Sequence, residues 1–154
     1  MKIFISYSTD DLNIVRSISN YIKQNSIVFY WDNNRIPGNE AWPTIFNWID
    51  QSDLVLAILT DKTISRAMSV GQEIGRAKAQ GKTIIPIVSS NVQFSELGFL
   101  NGVTCLKIER DNPGPVFKEL ERIVLAKRQQ KETQQLILLL SGIIGMIWLA
   151  SNNK

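Results

Sequence analysis

Histidine is absent from this chain of 154 residues, and cysteine occurs once, at Cys105. Ser-His-Asp and Cys-His nucleophile systems are thereby excluded, because each needs an imidazole to take the nucleophile's proton. A lone cysteine allows no intramolecular disulfide, and without histidine it cannot assemble a zinc site, so no metal is expected. Catalysis must rest on carboxylates, hydroxyls, lysine or a bound cofactor. The charge is nearly balanced as well: 17 basic residues against 14 acidic ones is too mild an excess for nucleic acid, and none is expected as a partner. No secretory leader is expected, since Lys2-Ile3-Phe4-Ile5-Ser6 gives way at once to the polar run Tyr7 to Asn13, and the folded part reads as cytosolic.

The 44% hydrophobic content suffices for one domain with a proper core plus a tail. Short apolar runs alternate with amphipathic segments, the pattern of a parallel sheet covered by helices on both faces. Strands are predicted at Ile3–Ser6, Ile27–Tyr30, Leu54–Leu59, Thr83–Val88 and Val103–Ile108. Pro86 suits an edge position or a strand end. Helices are predicted from about Asp10 to Gln24, from Trp42 through Ile45, Phe46 and Ile49, from Ser65 to Gln80 with Gly81 as the stop, and from Pro115 to about Lys131. Asn33, Asn34, Pro37 and Gly38 make Trp31 to Glu40 a loop, and Ser89 to Gly102 has no clean period. Cys105, inside the fifth strand, reads as a core thiol.

Four fragments, in order, resemble the Toll/interleukin-receptor (TIR) domain family over Lys2 to Leu125. The first is Ile3-Phe4-Ile5-Ser6-Tyr7-Ser8-Thr9-Asp10-Asp11, a strand running into Ser-Tyr-Ser and an acidic residue. The second is Val28-Phe29-Tyr30-Trp31-Asp32 with Arg35, Pro37 and Gly38, similar to the family's BB loop. The third is the helix-Ser-strand run Ile49 to Thr60, and the fourth is Ser65 to Pro86, where Ser69 stands four positions before Glu73. The resemblance implies a flavodoxin-like three-layer α/β sandwich on a five-stranded parallel sheet, a TIR domain over residues 1–126. Catalytic members of the family cleave the nicotinamide–ribose bond of NAD+, giving ADP-ribose or a cyclic form. NAD+ is then a substrate, with no resident cofactor implied.

Glu73 matches the family's catalytic carboxylate, and Ser69, one helical turn earlier, faces the same way. The competing reading is a solvated glutamate paired with Arg76 or Lys78. Ser6, Tyr7, Ser8 and Asp10 stand where the first strand ends, where open α/β sheets bind ligands, and are candidate contacts to ribose or phosphate. Equally, Ser8 or Thr9 caps the first helix and Asp10 complements its dipole. Asp32, Arg35, Pro37, Gly38 and Trp42 belong to the segment that, by resemblance, closes over nucleotide and mediates self-association. Trp31 or Trp42 could stack on a base or pack on the sheet, and Arg35 could meet pyrophosphate or stay solvated.

After a basic linker at 127–135, residues 136–151 form a hydrophobic helix with no charge and no polar face. Lys127, Arg128 and Lys131 precede it and only Lys154 follows, which predicts a single-pass anchor in the cell membrane with the TIR domain cytoplasmic. Packing against another copy is the alternative, with Gly142 and Gly145 permitting close approach. The expectation is a membrane-tethered NAD+-cleaving enzyme of prokaryotic antiviral defence, activated by self-assembly. A non-enzymatic adaptor and a membrane-disrupting tail triggered by clustering are its rivals.

Overall fold

The six residues Leu54–Leu59 are all buried, as an unbroken apolar run requires, and they form β3 at the centre of a five-stranded parallel sheet ordered β2-β1-β3-β4-β5. The other strands are β1 (Lys2–Ser6), β2 (Ile27–Tyr30), β4 (Thr83–Ser89) and β5 (Leu106–Ile108). The helices are α1 (Leu12–Ile22), α2 (Ala41–Gln51), the short α3 (Asp61–Ile64), α4 (Ala67–Ala79) and α5 (Gly114–Ser151). This computed structural model describes residues 1–32, 41–64, 67–92, 100, 103–109 and 111–151.

Side chains alternate across the sheet. Ile3, Ile5, Leu54, Leu56 and Ile58 face α1 and α5, where Ile18, Ile22, Leu120 and Val124 meet them. Phe4 and Val55 face the other way onto Ile45, Ile49 and Ala77 of α2 and α4. This gives the three layers the sequence predicts. Helix α4 ends as expected at Gly81, which takes a φ of 63° while Lys82 N–H donates to Ala77 O at 2.9 Å.

Several local expectations are corrected. Pro86 is in an interior strand, opposite Ala57, yet it is locally an edge because β5 pairs only from Ile87 onward. For the same reason β5 begins at Leu106 instead of Val103: β4 offers partners only from Ile87 to Ser89. Cys105 therefore precedes the strand, half-buried against the β4–α4 packing, with burial pushing its thiol pKa up. The turn Thr9–Asp11 is 3-10, and neither Ser8 nor Asp11 makes a side-chain capping bond. Asp11, 3% exposed, instead accepts from Thr60 Oγ1 at 2.6 Å and joins the start of α1 to the end of β3.

That pair yields a stability prediction. Burial pushes the Asp11 carboxyl pKa up, against the opposing pulls of Thr60 and Lys62. Asp11→Ala leaves the Thr60 hydroxyl without its acceptor and should cost roughly 1–3 kcal/mol in urea unfolding. Asp11→Asn keeps an acceptor and buries no charge. It should match or exceed the wild type at neutral pH, its advantage growing as pH rises through the raised native pKa.

Helix α5 is one 38-residue helix that crosses the expected linker without a break. Lys131 binds both oxygens of Asp53 at 2.7 and 2.9 Å, and Asp53 also accepts from the Lys2 N–H at 2.9 Å. Beyond Lys131 the side chains through Ser141 are exposed, so the helix has left the domain. Among the described residues, no helix is long and apolar enough to cross a membrane, and the expected transmembrane span is not supported. Leu136–Ala150 is 15 residues, about 22 Å of helix against the ~30 Å hydrocarbon core of a bilayer.

Candidate functional site

Val70, Ile74 and Ala77 are the stripe that α4 buries, and the same rotation carries Ser69 and Glu73 toward the carboxyl end of β1. There, a cavity of about 160 Å³ is lined by Phe4, Ile5, Tyr7, Thr9, Trp31, Ala41, Trp42, Ile45, Ser69 and Glu73. It is a half-open cleft with room for a ring-sized group beside Glu73.

Glu73 is 8% exposed, and its Oε2 makes no hydrogen bond. Burial pushes its carboxyl pKa up to about 7, against a weaker lowering pull from the nearby Ser6 hydroxyl. That contact falls short of a formed hydrogen bond, since Ser6 Oγ is itself buried without a partner. Arg76, one candidate partner, is turned away: it forms a bidentate pair with Asp50 of α2 at 2.9 and 2.6 Å, and its guanidinium lies 5.6 Å from the Phe46 ring centre. A buried carboxylate held apart from neighbouring cations is costly, and such groups cluster at functional sites.

The structure divides the remaining residues singled out from sequence. Tyr7, Trp31, Trp42 and Ser69 share the cavity with Glu73, and Ser6 stands beside it. Ser8 is buried with an unpaired hydroxyl but does not line the cavity. Asp10 is exposed, its backbone carbonyl accepting from Lys62 Nζ at 3.1 Å. Asp32 turns outward, 3.4 Å from Arg16 NH2, and lines a separate shallow cavity with Val28 and Trp48. Arg35, Pro37 and Gly38 lie outside the described residues.

The tryptophans pack and line at once. The Trp42 ring is 5.5 Å from Phe46 and the Trp31 ring 6.2 Å from Trp48. Sequence reasoning missed Phe4, Ile5, Thr9, Ala41 and Ile45 as lining residues; Thr9 was legible from its place just past β1, while the others look like any residues of a buried strand or an amphipathic helix. A larger cavity of about 200 Å³ lies on the opposite face, between α1, α5 and the ends of β3 to β5. Its one carboxylate, Glu109, is exposed, so the cavity lacks the buried ionisable group that marks the Glu73 site.

A family profile described as TIR domain matches residues 3–124. No curated protein matches the sequence. Among solved structures, the TIR domain of the Toll-related receptor TRR-2 from Hydra magnipapillata aligns with a TM-score of 0.60 at 19% identity, over 79% of this chain and 96% of that one. The TIR domains of the activated Roq1 resistosome align at 0.51 and 17% identity, over 66% of this chain and 64% of theirs. The CMP N-glycosidase of Clostridium botulinum aligns at 0.55 and 15% identity, over 79% and 99%. Identities this low carry the fold alone.

Proposed function

This chain belongs to the TIR domain family, and from that premise we propose that it cleaves the bond between nicotinamide and ribose in NAD+, with Glu73 as the catalytic carboxylate. The observation that carries the reading is the Glu73 side chain itself: 8% exposed, apart from Arg76, with Oε2 unsatisfied at the wall of a cavity bounded by two tryptophans. TIR domains serve both as NAD-cleaving enzymes and as adaptors, and an adaptor has no use for a buried, unpaired carboxylate.

The chemistry suits a site with one carboxylate and no histidine. Nicotinamide in NAD+ is a pyridinium, so it takes the electron pair of the breaking C1′–N bond and departs neutral, without needing a proton. Positive charge then develops on C1′ and the ring oxygen, where an ionised carboxylate in a cavity lined largely by apolar and aromatic side chains stabilises it strongly. Water adds to C1′ and gives up a proton to Glu73 or solvent, leaving ADP-ribose; attack by a ring nitrogen of adenine would instead give a cyclic product.

The self-association that the family resemblance implies would let a second copy complete this site. The place in prokaryotic antiviral defence rests on the family resemblance. The test is release of nicotinamide from NAD+ by the full chain, free and artificially clustered. Absence of turnover in both states removes the enzyme reading and leaves the adaptor.

We also propose that the end of α5 seats in a lipid bilayer. Leu136, Ile137, Leu138, Leu139 and Leu140 are 51–70% exposed. Successive helix residues are about 100° apart, so these five surround the axis and no one-sided partner covers them.

A further inference from the structure

We propose that Tyr7 is a positioning residue of the Glu73 site: its hydroxyl, donating to the backbone carbonyl of Trp31, holds Trp31 as the wall against which the departing ring is seated. The inference rests on the NAD+-cleaving reading for its kinetic part only. The last register pair between β1 and β2 is Ile5↔Tyr30, and β2 is an edge strand with a neighbour on one side. An edge strand tends to fray at its end. Trp31 is the first residue past that ladder, and the Tyr7–Trp31 hydrogen bond carries the link between the two strands one residue further.

Tyr7 is built for this task. It is 8% exposed, its ring packs edge-on to Tyr30 at 6.3 Å, and it belongs to the core cluster of Ile3, Ile5 and Val15. Burial foremost, then the charges of Asp32 and Glu73, pushes its pKa up to about 12, so the hydroxyl keeps its proton and remains a donor across the physiological range. With that proton directed at a main-chain carbonyl, the hydroxyl has only its lone pairs left to offer a ribose hydroxyl and no proton for a phosphate. Its consequence for the substrate passes through Trp31, which lines the same cavity as Glu73.

Tyr7→Phe keeps the ring and removes the donor. Because a wall contacts ground state and transition state alike, KM for NAD+ should rise about 5- to 10-fold with kcat within about twofold. Trp31→Ala should raise KM at least as much, and adding Tyr7→Phe to it should cost nothing further, since both act through one contact. Backbone amide exchange of residues 27–32 should quicken in Tyr7→Phe while that of β3 stays unchanged.

An unchanged KM, or losses in the double variant that simply add, overturns the proposal, because additivity means that Tyr7 touches substrate directly. If the wild type turns over no NAD+, the enzyme reading fails separately and the exchange experiment decides the positioning claim. Unaltered exchange at residues 27–32 then refutes it.

Discussion

Glu73→Gln is expected to lower NAD+ cleavage by the clustered full chain about 10²- to 10³-fold, the loss typical of removing one group that stabilises transition-state charge. The substitution preserves shape and volume and removes only the ability to become an anion. Because the wild-type carboxyl pKa is about 7, wild-type kcat/KM should rise with pH and level off above about pH 7 as the catalytic anion forms. The residual activity of Glu73→Gln should show no such step. Initial rates of nicotinamide release between about pH 5.5 and about pH 8.5 measure both; a flat wild-type profile would remove Glu73 ionisation from the mechanism.

The same variant separates catalysis from folding. A carboxyl whose native pKa lies above its unfolded value of 4.5 stabilises the fold most when protonated. That contribution is complete below about pH 4.5 and is lost as pH rises through about 7. Glu73→Gln should therefore unfold at higher urea than the wild type above pH 7, by up to roughly 3 kcal/mol, and the gap should close toward pH 4.5. A protein that is more stable and far less active marks a residue retained for chemistry at the expense of stability.

Ending the chain after Gln135 is expected to abolish its flotation with phospholipid vesicles. Covering five apolar side chains, each at least half exposed, is worth on the order of 10 kcal/mol, enough to make the partition nearly all-or-none. The domain itself should be untouched, since among the described residues the last ion pair that ties α5 to the domain is Lys131–Asp53. Equal urea midpoints for the two chains, with only the longer one floating, is the expected result. A full chain that stays off the vesicles and forms a discrete detergent-free oligomer would show that copies of the helix cover one another.

Much of the fold was legible because the signals are local. The short run Leu54–Leu59, all apolar and bounded by polar residues, reads as a strand buried on both faces, and Gly81 follows the periodic segment where a helix end takes positive φ. Ser69 and Glu73, four apart, had to share a side of α4. Of the site, the sequence singled out Tyr7, Trp31, Trp42, Ser69 and Glu73, which share the cavity, and excluded a competing histidine.

Tertiary packing decided what those residues do. Arg76, three residues from Glu73 and within reach on an isolated helix, is drawn to Asp50 because α2 packs beside α4, and Glu73 is left unpaired as a result. Asp11 caps nothing because β3 brings Thr60 within 2.6 Å. Tyr7 faces a carbonyl instead of solvent because β2 is its neighbour in the sheet. Periodicity and capping reach only a turn or two along the chain, whereas each of these partners lies 24 to 49 positions away. The burial that lifts Glu73 toward neutrality likewise exists only once the helices close on the sheet.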